Sequence, residues 1–158
     1  MKIILSLYSL LVFISCNYSK KEREAGKSLN LNTDNIDFNK KLAERANGLF
    51  EKDKFSEAII AYDNLILVDS LKAGYFFKRG YSKSMLLDKP GAIADYKKSI
   101  ALNYSQKESS FQNIGALYSV QAKYDSALFY LNECLKLNPT NKVASDLRTE
   151  ALNYLNKK

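Results

Sequence analysis

Histidine and tryptophan are both missing from this chain of 158 residues. The first absence removes the commonest general base and the commonest metal ligand together. Cysteine is scarce, and the two present, Cys16 and Cys134, are placed too differently to suggest a metal pair. No nucleophile has a base beside it in a recognisable motif, so no catalytic residue, metal or cofactor is expected and the chain reads as non-enzymatic. Proline and glycine are also few, two and six, which favours helix over strand. Hydrophobic residues make up 46% and charged residues 26%, the balance of a folded rather than a disordered protein. The aromatic load is large, with eleven tyrosines and eight phenylalanines.

The longest apolar run, Ile3 to Ile14, follows Lys2 and has twelve residues. A membrane-spanning helix needs about 20, so the run fits the apolar region of a secretory signal. It ends at Ser15-Cys16, and this end resembles a bacterial lipoprotein signal. The resemblance implies a signal peptide over residues 1–15 and a lipidated Cys16, which anchors the chain to a membrane of the bacterial envelope, at the outer membrane or periplasmic face. An ordinary signal peptide with an incidental cysteine, or an uncleaved anchor, is the alternative. Residues 16–37 are polar, with Lys20, Lys21, Arg23 and Lys27 balanced by Glu22, Glu24, Asp34 and Asp37, and read as a flexible tether.

Beyond the tether the sequence repeats. Phe55-Ser-Glu-Ala58-Ile, Lys89-Pro-Gly-Ala92-Ile and Tyr124-Asp-Ser-Ala127-Leu recur at spacings of 34 and 35 residues. Tyr62, Tyr96 and Leu131 follow the alanines by four positions, and Leu65, Ser99 and Cys134 by seven. The stretch Phe111 to Asn141 is the most regular unit: Phe111, Ile114, Gly115 and Tyr118, then Ala127 and Leu131, then Pro139. It resembles the tetratricopeptide repeat, with its order aromatic-x2-Leu-Gly-x2-Tyr, Ala-x3-Phe and Pro. The units are residues 39–72, 73–107 and 108–141, with an extra residue near the end of the second and an amphipathic capping helix over 142–156. The expected fold is an all-α, right-handed superhelical solenoid of three helix pairs plus the cap. Small residues at Ala46, Gly80, Gly115, Ala58, Ala92 and Ala127 let neighbouring helices approach closely. Pro90 suits a first helical turn, Ser105 with Glu108 reads as a capping box, and Ser56 and Asp125 stand at the starts of second helices. Cys134 reads as a buried small hydrophobe.

The resemblance implies that first helices line a concave groove for a partner peptide or protein. On that frame the candidate contacts are Asn47 and Phe50 in the first unit, Phe77, Lys78, Tyr81, Ser84 and Met85 in the second, and Gln112 and Ser119 in the third. Phe77 and Tyr81 lie one turn apart and read as a shared aromatic platform, or as packing against the preceding first helix. Asn47 alone matches the family's clamp for a peptide's terminal carboxylate; Ala43, Lys78, Ser109 and Asn113 occupy its other slots, so that clamp is not expected. Unit two is the least regular, because Arg79 and Lys83 stand where the family usually has apolar residues. It also carries seven basic residues against Asp88 and Asp95. Such a local positive field favours an acidic partner over nucleic acid in an exported chain, or is simply a solvated face. Binding of an envelope glycan or peptidoglycan fragment on Tyr75 and Tyr81 is the competing function.

Overall fold

The computed structural model describes residues 36–157; the expected signal 1–15, Cys16 and most of the tether lie outside them. Contacts divide the chain into a unit Met1–Lys41 and a unit Leu42–Lys158. In the first, residues 36–41 are helical and carry an exposed ion pair, Lys41 to Asp37 at 2.8 Å. The remainder concerns the second unit.

Among the described residues every regular element is an α-helix. They are α1 (residues 36–51), α2 (Phe55–Val68), α3 (Ala73–Met85), α4 (Lys89–Ala101), α5 (Lys107–Val120), α6 (Tyr124–Leu137) and α7 (Lys142–Asn156). From α2 onward each helix packs on the next, and α5 also meets α7. Three helix pairs and a seventh helix are thus the solenoid read from the repeat.

Small residues set the helix spacing. Ala46, Ala58, Ala92 and Ala127 are fully buried, each at a helix crossing. A Cβ on Gly115 would stand 2.6 Å from Leu131 Cγ, and one on Gly80 would stand 3.1 Å from Asp95 Cβ. Large side chains fill the remaining space: Tyr62 and Leu65 in the first pair, Tyr96 and Ile114 between the second and third, and Leu131 with Cys134 in the third. Burying each such aliphatic chain contributes about 1.5–3 kcal/mol.

The turns inside the three pairs share one backbone solution. Asp53, Leu87 and Ala122 adopt left-handed φ of 57°, 64° and 55°. The following amide donates five residues back in each: Lys54 to Leu49, Asp88 to Lys83 and Lys123 to Tyr118, at 2.9–3.0 Å. This is the Schellman closure of a helix end, made here without glycine. Asn103 repeats it after α4, with Tyr104 donating to Ser99. That added turn takes up the extra residue of the second unit.

Helix starts correct part of the sequence reading. Pro90 lies in the first turn of α4, as expected, but the cap is Asp88, whose carboxylate accepts from Gly91 at 3.0 Å. The Ser105–Glu108 capping box does not form, since the turn after Asn103 moves the start of α5 to Lys107 and makes Gln106 its cap. Ser56 and Asp125 lie inside the first turns of α2 and α6; Lys54 and Lys123 stand at the cap positions without a side-chain bond. Each of the three turns inside the pairs hands the chain straight to the next helix, leaving the cap position one residue after the left-handed one, whereas Gln106 caps α5 three residues after Asn103. Asp125 still complements the positive end of its helix.

Two glycines give opposite forecasts. Gly115→Ala should cost about 1–3 kcal/mol, because Leu131 is buried and cannot withdraw. Gly48→Ala meets nothing within 4 Å and should gain roughly 0.5–1 kcal/mol in a helix interior. Chemical denaturation of both variants checks this; equal effects would contradict the packing account.

Candidate functional site

The irregular helix α3 divides its charges between two faces. Toward α4, Arg79 grips the buried Asp95 with two nitrogens, Nε to Oδ2 at 2.8 Å and Nη2 to Oδ1 at 2.5 Å. Lys83, one turn on, places Nζ 2.8 Å from Asp95 Oδ2. Arg79 Nη1 also donates to Asp63 Oδ1 on α2 at 2.7 Å, and the guanidinium lies over the Phe76 ring. The Asp95 bond, ahead of the Asp63 bond, raises the guanidinium above the usual arginine range against the opposing effect of burial. Asp95 is 4% exposed, so a lone carboxylate there would be costly and the paired one ties three helices together. The two residues that break the repeat pattern are therefore structural cations. Asp95 was the missed signal: in sequence it counted as one charge among nine in its unit.

Toward α1 the arrangement differs. Asn47 Oδ1 accepts from Tyr62 Oη at 2.9 Å and from Lys78 Nζ at 2.6 Å. Burial pushes the Tyr62 phenol up, so it remains a neutral donor. Lys78 also stands 5.6 Å over the Phe50 ring. Among the described residues no carboxylate lies within ion-pair distance of Lys78. With its oxygen doubly engaged, the Asn47 amide leaves its NH2 donors beside a lysine that lacks a counterion. Together they can receive a carboxylate.

Aromatic rings frame this point. Phe50 meets Phe55, Tyr62 and Tyr81 edge-on at centroid distances of 6.4, 6.4 and 5.4 Å. The expected Phe77–Tyr81 platform does not form. Phe77 stacks on Tyr104 at 4.8 Å and packs against Tyr96, while Tyr81 turns the other way to Phe50 and Phe55. Sharing a helix face does not make two rings share neighbours when each can fill a different inter-helix gap. Tyr81 thus follows the packing alternative, and Tyr75 is half-buried against Tyr62.

The other candidates are spread out. Ser84 is half-buried, and Met85 is exposed at the last residue of α3. Gln112 accepts from Asn141 Nδ2 at 2.8 Å, and Asn141 caps α7, so Gln112 helps place that helix. Ser119 Oγ is buried and makes no hydrogen bond among the described residues. Cys134 is free and fully buried, which raises its thiol. Asn47, Phe50, Lys78 and Tyr81 are the candidates that converge.

No protein-family model matches the chain, and no curated protein matches it in sequence. Solved structures do. The first TPR of Spaghetti (RPAP3), bound to HSP90 peptide SRMEEVD, is 24% identical at a TM-score of 0.68, covering 74% of this chain and 92% of that one. The TPR2B domain of yeast Sti1, in a complex with pHsp70, is 20% identical at 0.63, covering 73% and 97%. The P58(IPK) TPR domain is 25% identical at 0.69, covering 77% of this chain and 33% of that chain. The chain has the fold of these tetratricopeptide-repeat domains.

Removing the buried carboxylate should expose the structural role of the network. Asp95→Ala strands two cations and should cost about 3–5 kcal/mol, whereas Asp63→Ala, at a half-exposed site, should cost under about 1 kcal/mol. Urea melts of the two variants compare them directly; similar costs would contradict the assignment.

Proposed function

We propose that this protein is a non-enzymatic interaction module, tethered by a lipidated Cys16 to a bacterial envelope membrane, that receives an acidic segment of a partner protein. The observation that carries the binding reading is the contrast on α3. Arg79 and Lys83 are paired with Asp95 and Asp63, while Lys78 faces Asn47 with no carboxylate partner among the described residues. A peptide carboxylate at Lys78 would gain a charge-assisted bond from the ammonium and a second bond from the Asn47 amide. The Phe50 and Tyr81 rings supply apolar contact beside it. Fold relatives support this mode, since the first of them is bound to a peptide whose sequence ends Glu-Glu-Val-Asp. This chain has Ala43, Ser109 and Asn113 at other slots of that family's clamp, which favours an internal acidic segment over a chain terminus.

Titration of the purified protein with acidic peptides, their amide-capped forms and peptidoglycan fragments tests the reading. Acidic peptides should bind whether or not the C-terminus is capped, and Lys78→Ala should weaken them by about 1.5–3 kcal/mol, roughly 10- to 100-fold in Kd. Unchanged affinity in Lys78→Ala, or binding of glycan fragments alone, would refute it.

A further inference from the structure

One position of the repeat is answered twice and left open once. Arg79, Ile114 and Arg148 stand at equivalent places in α3, α5 and α7, at the repeat spacings of 35 and 34 residues. Burial confirms the register, because Ser82, Leu117 and Ala151, one turn further on, are buried in all three helices. Around Arg79 the following helix supplies Asp95 and the preceding second helix supplies Asp63. Around Ile114 the same two places hold Tyr130 and Lys97, whose ammonium lies 5.7 Å over the Tyr130 ring, and Ile114 is fully buried. Around Arg148 neither acid is present. Asn132 takes the place of Asp63, and among the described residues no helix follows α7 to supply the other.

Arg148 carries the mark of that gap. Its Nε–H is buried without a hydrogen-bond partner, whereas the same atom of Arg79 donates to Asp95 at 2.8 Å. No carboxylate lies within ion-pair distance of Arg148 among the described residues. Glu133 lines the same cleft but is bonded to Lys136, one turn along α6. A buried donor left unpaired is disfavoured, and a guanidinium is shaped to take a carboxylate.

The arginine opens onto a cleft of about 520 Å³ between α6 and α7, walled also by Phe129, Asn132, Glu133, Leu135 and Lys136. Phe129 is 60% exposed, and Leu152, one turn beyond Arg148 on α7, is 41% exposed. A cation between apolar side chains suits the face of an amphipathic helix better than a free anion. The chain itself shows the mode, since α4 brings Asp95 to Arg79 on a helix. Thr149 sets the length of the acid. Its equivalents, Gly80 and Gly115, let α4 and α6 press against α3 and α5, but a branched side chain at Thr149 holds a helix further out. Aspartate falls short at that separation, and glutamate, one methylene longer, reaches.

We propose that the α6–α7 cleft docks an amphipathic helix of a partner protein, which pairs a glutamate with Arg148 and seats apolar residues on Phe129 and Leu152. This site shares no residue with the one formed by Asn47, Phe50, Lys78 and Tyr81, so the two are tested separately.

The probe is a synthetic helix with the α4 sequence, Asp88–Leu102, stapled on its outward face, with Asp95 kept or replaced by Glu or Gln. It carries the face that already covers the equivalent arginine. Fluorescence anisotropy with the full chain should rank the Glu peptide above the Asp peptide, with the Gln peptide roughly 10- to 100-fold weaker than Glu. Arg148→Met should bring the Glu peptide down to the Gln level and leave the Gln peptide unchanged. Lys78→Ala should change neither. The Arg148→Met protein should melt at or above the parent temperature, because the arginine loses no partner. Equal affinity of the Glu and Gln peptides, no binding of either, or Glu binding lost in Lys78→Ala but kept in Arg148→Met would overturn the proposal. So would a fall in melting temperature shared by Arg148→Met and Glu133→Gln, which assigns the arginine to Glu133. A dimer of the free chain that dissociates in Arg148→Met would also overturn it, by giving the cleft to a second copy.

Discussion

The Asp95 carboxylate, buried between α3 and α4, constrains everything around it. A lone anion at 4% exposure would be strongly disfavoured, so the fold supplies two cations from α3 and ties the first of them to Asp63 on α2. Gly80 belongs to the same arrangement, since its missing Cβ leaves the space in which Asp95 and Ala92 approach α3. The middle pair is held by an ionic cluster where its neighbours rely on apolar packing.

That cluster changes what the positive charge of the second unit means. Successive residues on a helix point about 100° apart, so Lys78 and Arg79 serve different neighbours. Arg79 and Lys83, one turn apart, converge on the same carboxylate, while Lys78 faces Asn47 and the Phe50 ring. The basic character of α3 is thus partly internal structure and partly a half-buried lysine, Lys78, with no carboxylate in ion-pair distance among the described residues. Lys89 and Lys97 belong to α4, and Lys97 lies over the Tyr130 ring.

Much of the fold was legible because the repeat period fixes which alanines and glycines must be small. Ala58, Ala92 and Ala127 emerge fully buried, and the extra residue of the second unit falls in the α4–α5 connection. Helix starts were less legible: Ser105, Ser56 and Asp125 have capping chemistry, yet the left-handed turns at Asp53, Asn103 and Ala122 decide where each helix begins. Those turns carry no glycine to announce them. At the candidate site, Asn47, Phe50 and Lys78 could be placed from the repeat frame alone. The fate of Arg79, Lys83, Phe77 and Tyr81 could not, because it depends on which neighbour each long side chain reaches.

The central claim is that α3 holds structural and binding cations side by side. Side-chain nitrogen NMR, with 15N-labelled lysine and arginine, observes them separately during titration with an acidic peptide. The account predicts that the Lys78 Nζ resonance moves with saturation while Arg79 Nε and Lys83 Nζ stay where Asp95 holds them. Movement of Arg79 or Lys83 with Lys78 unperturbed would contradict it.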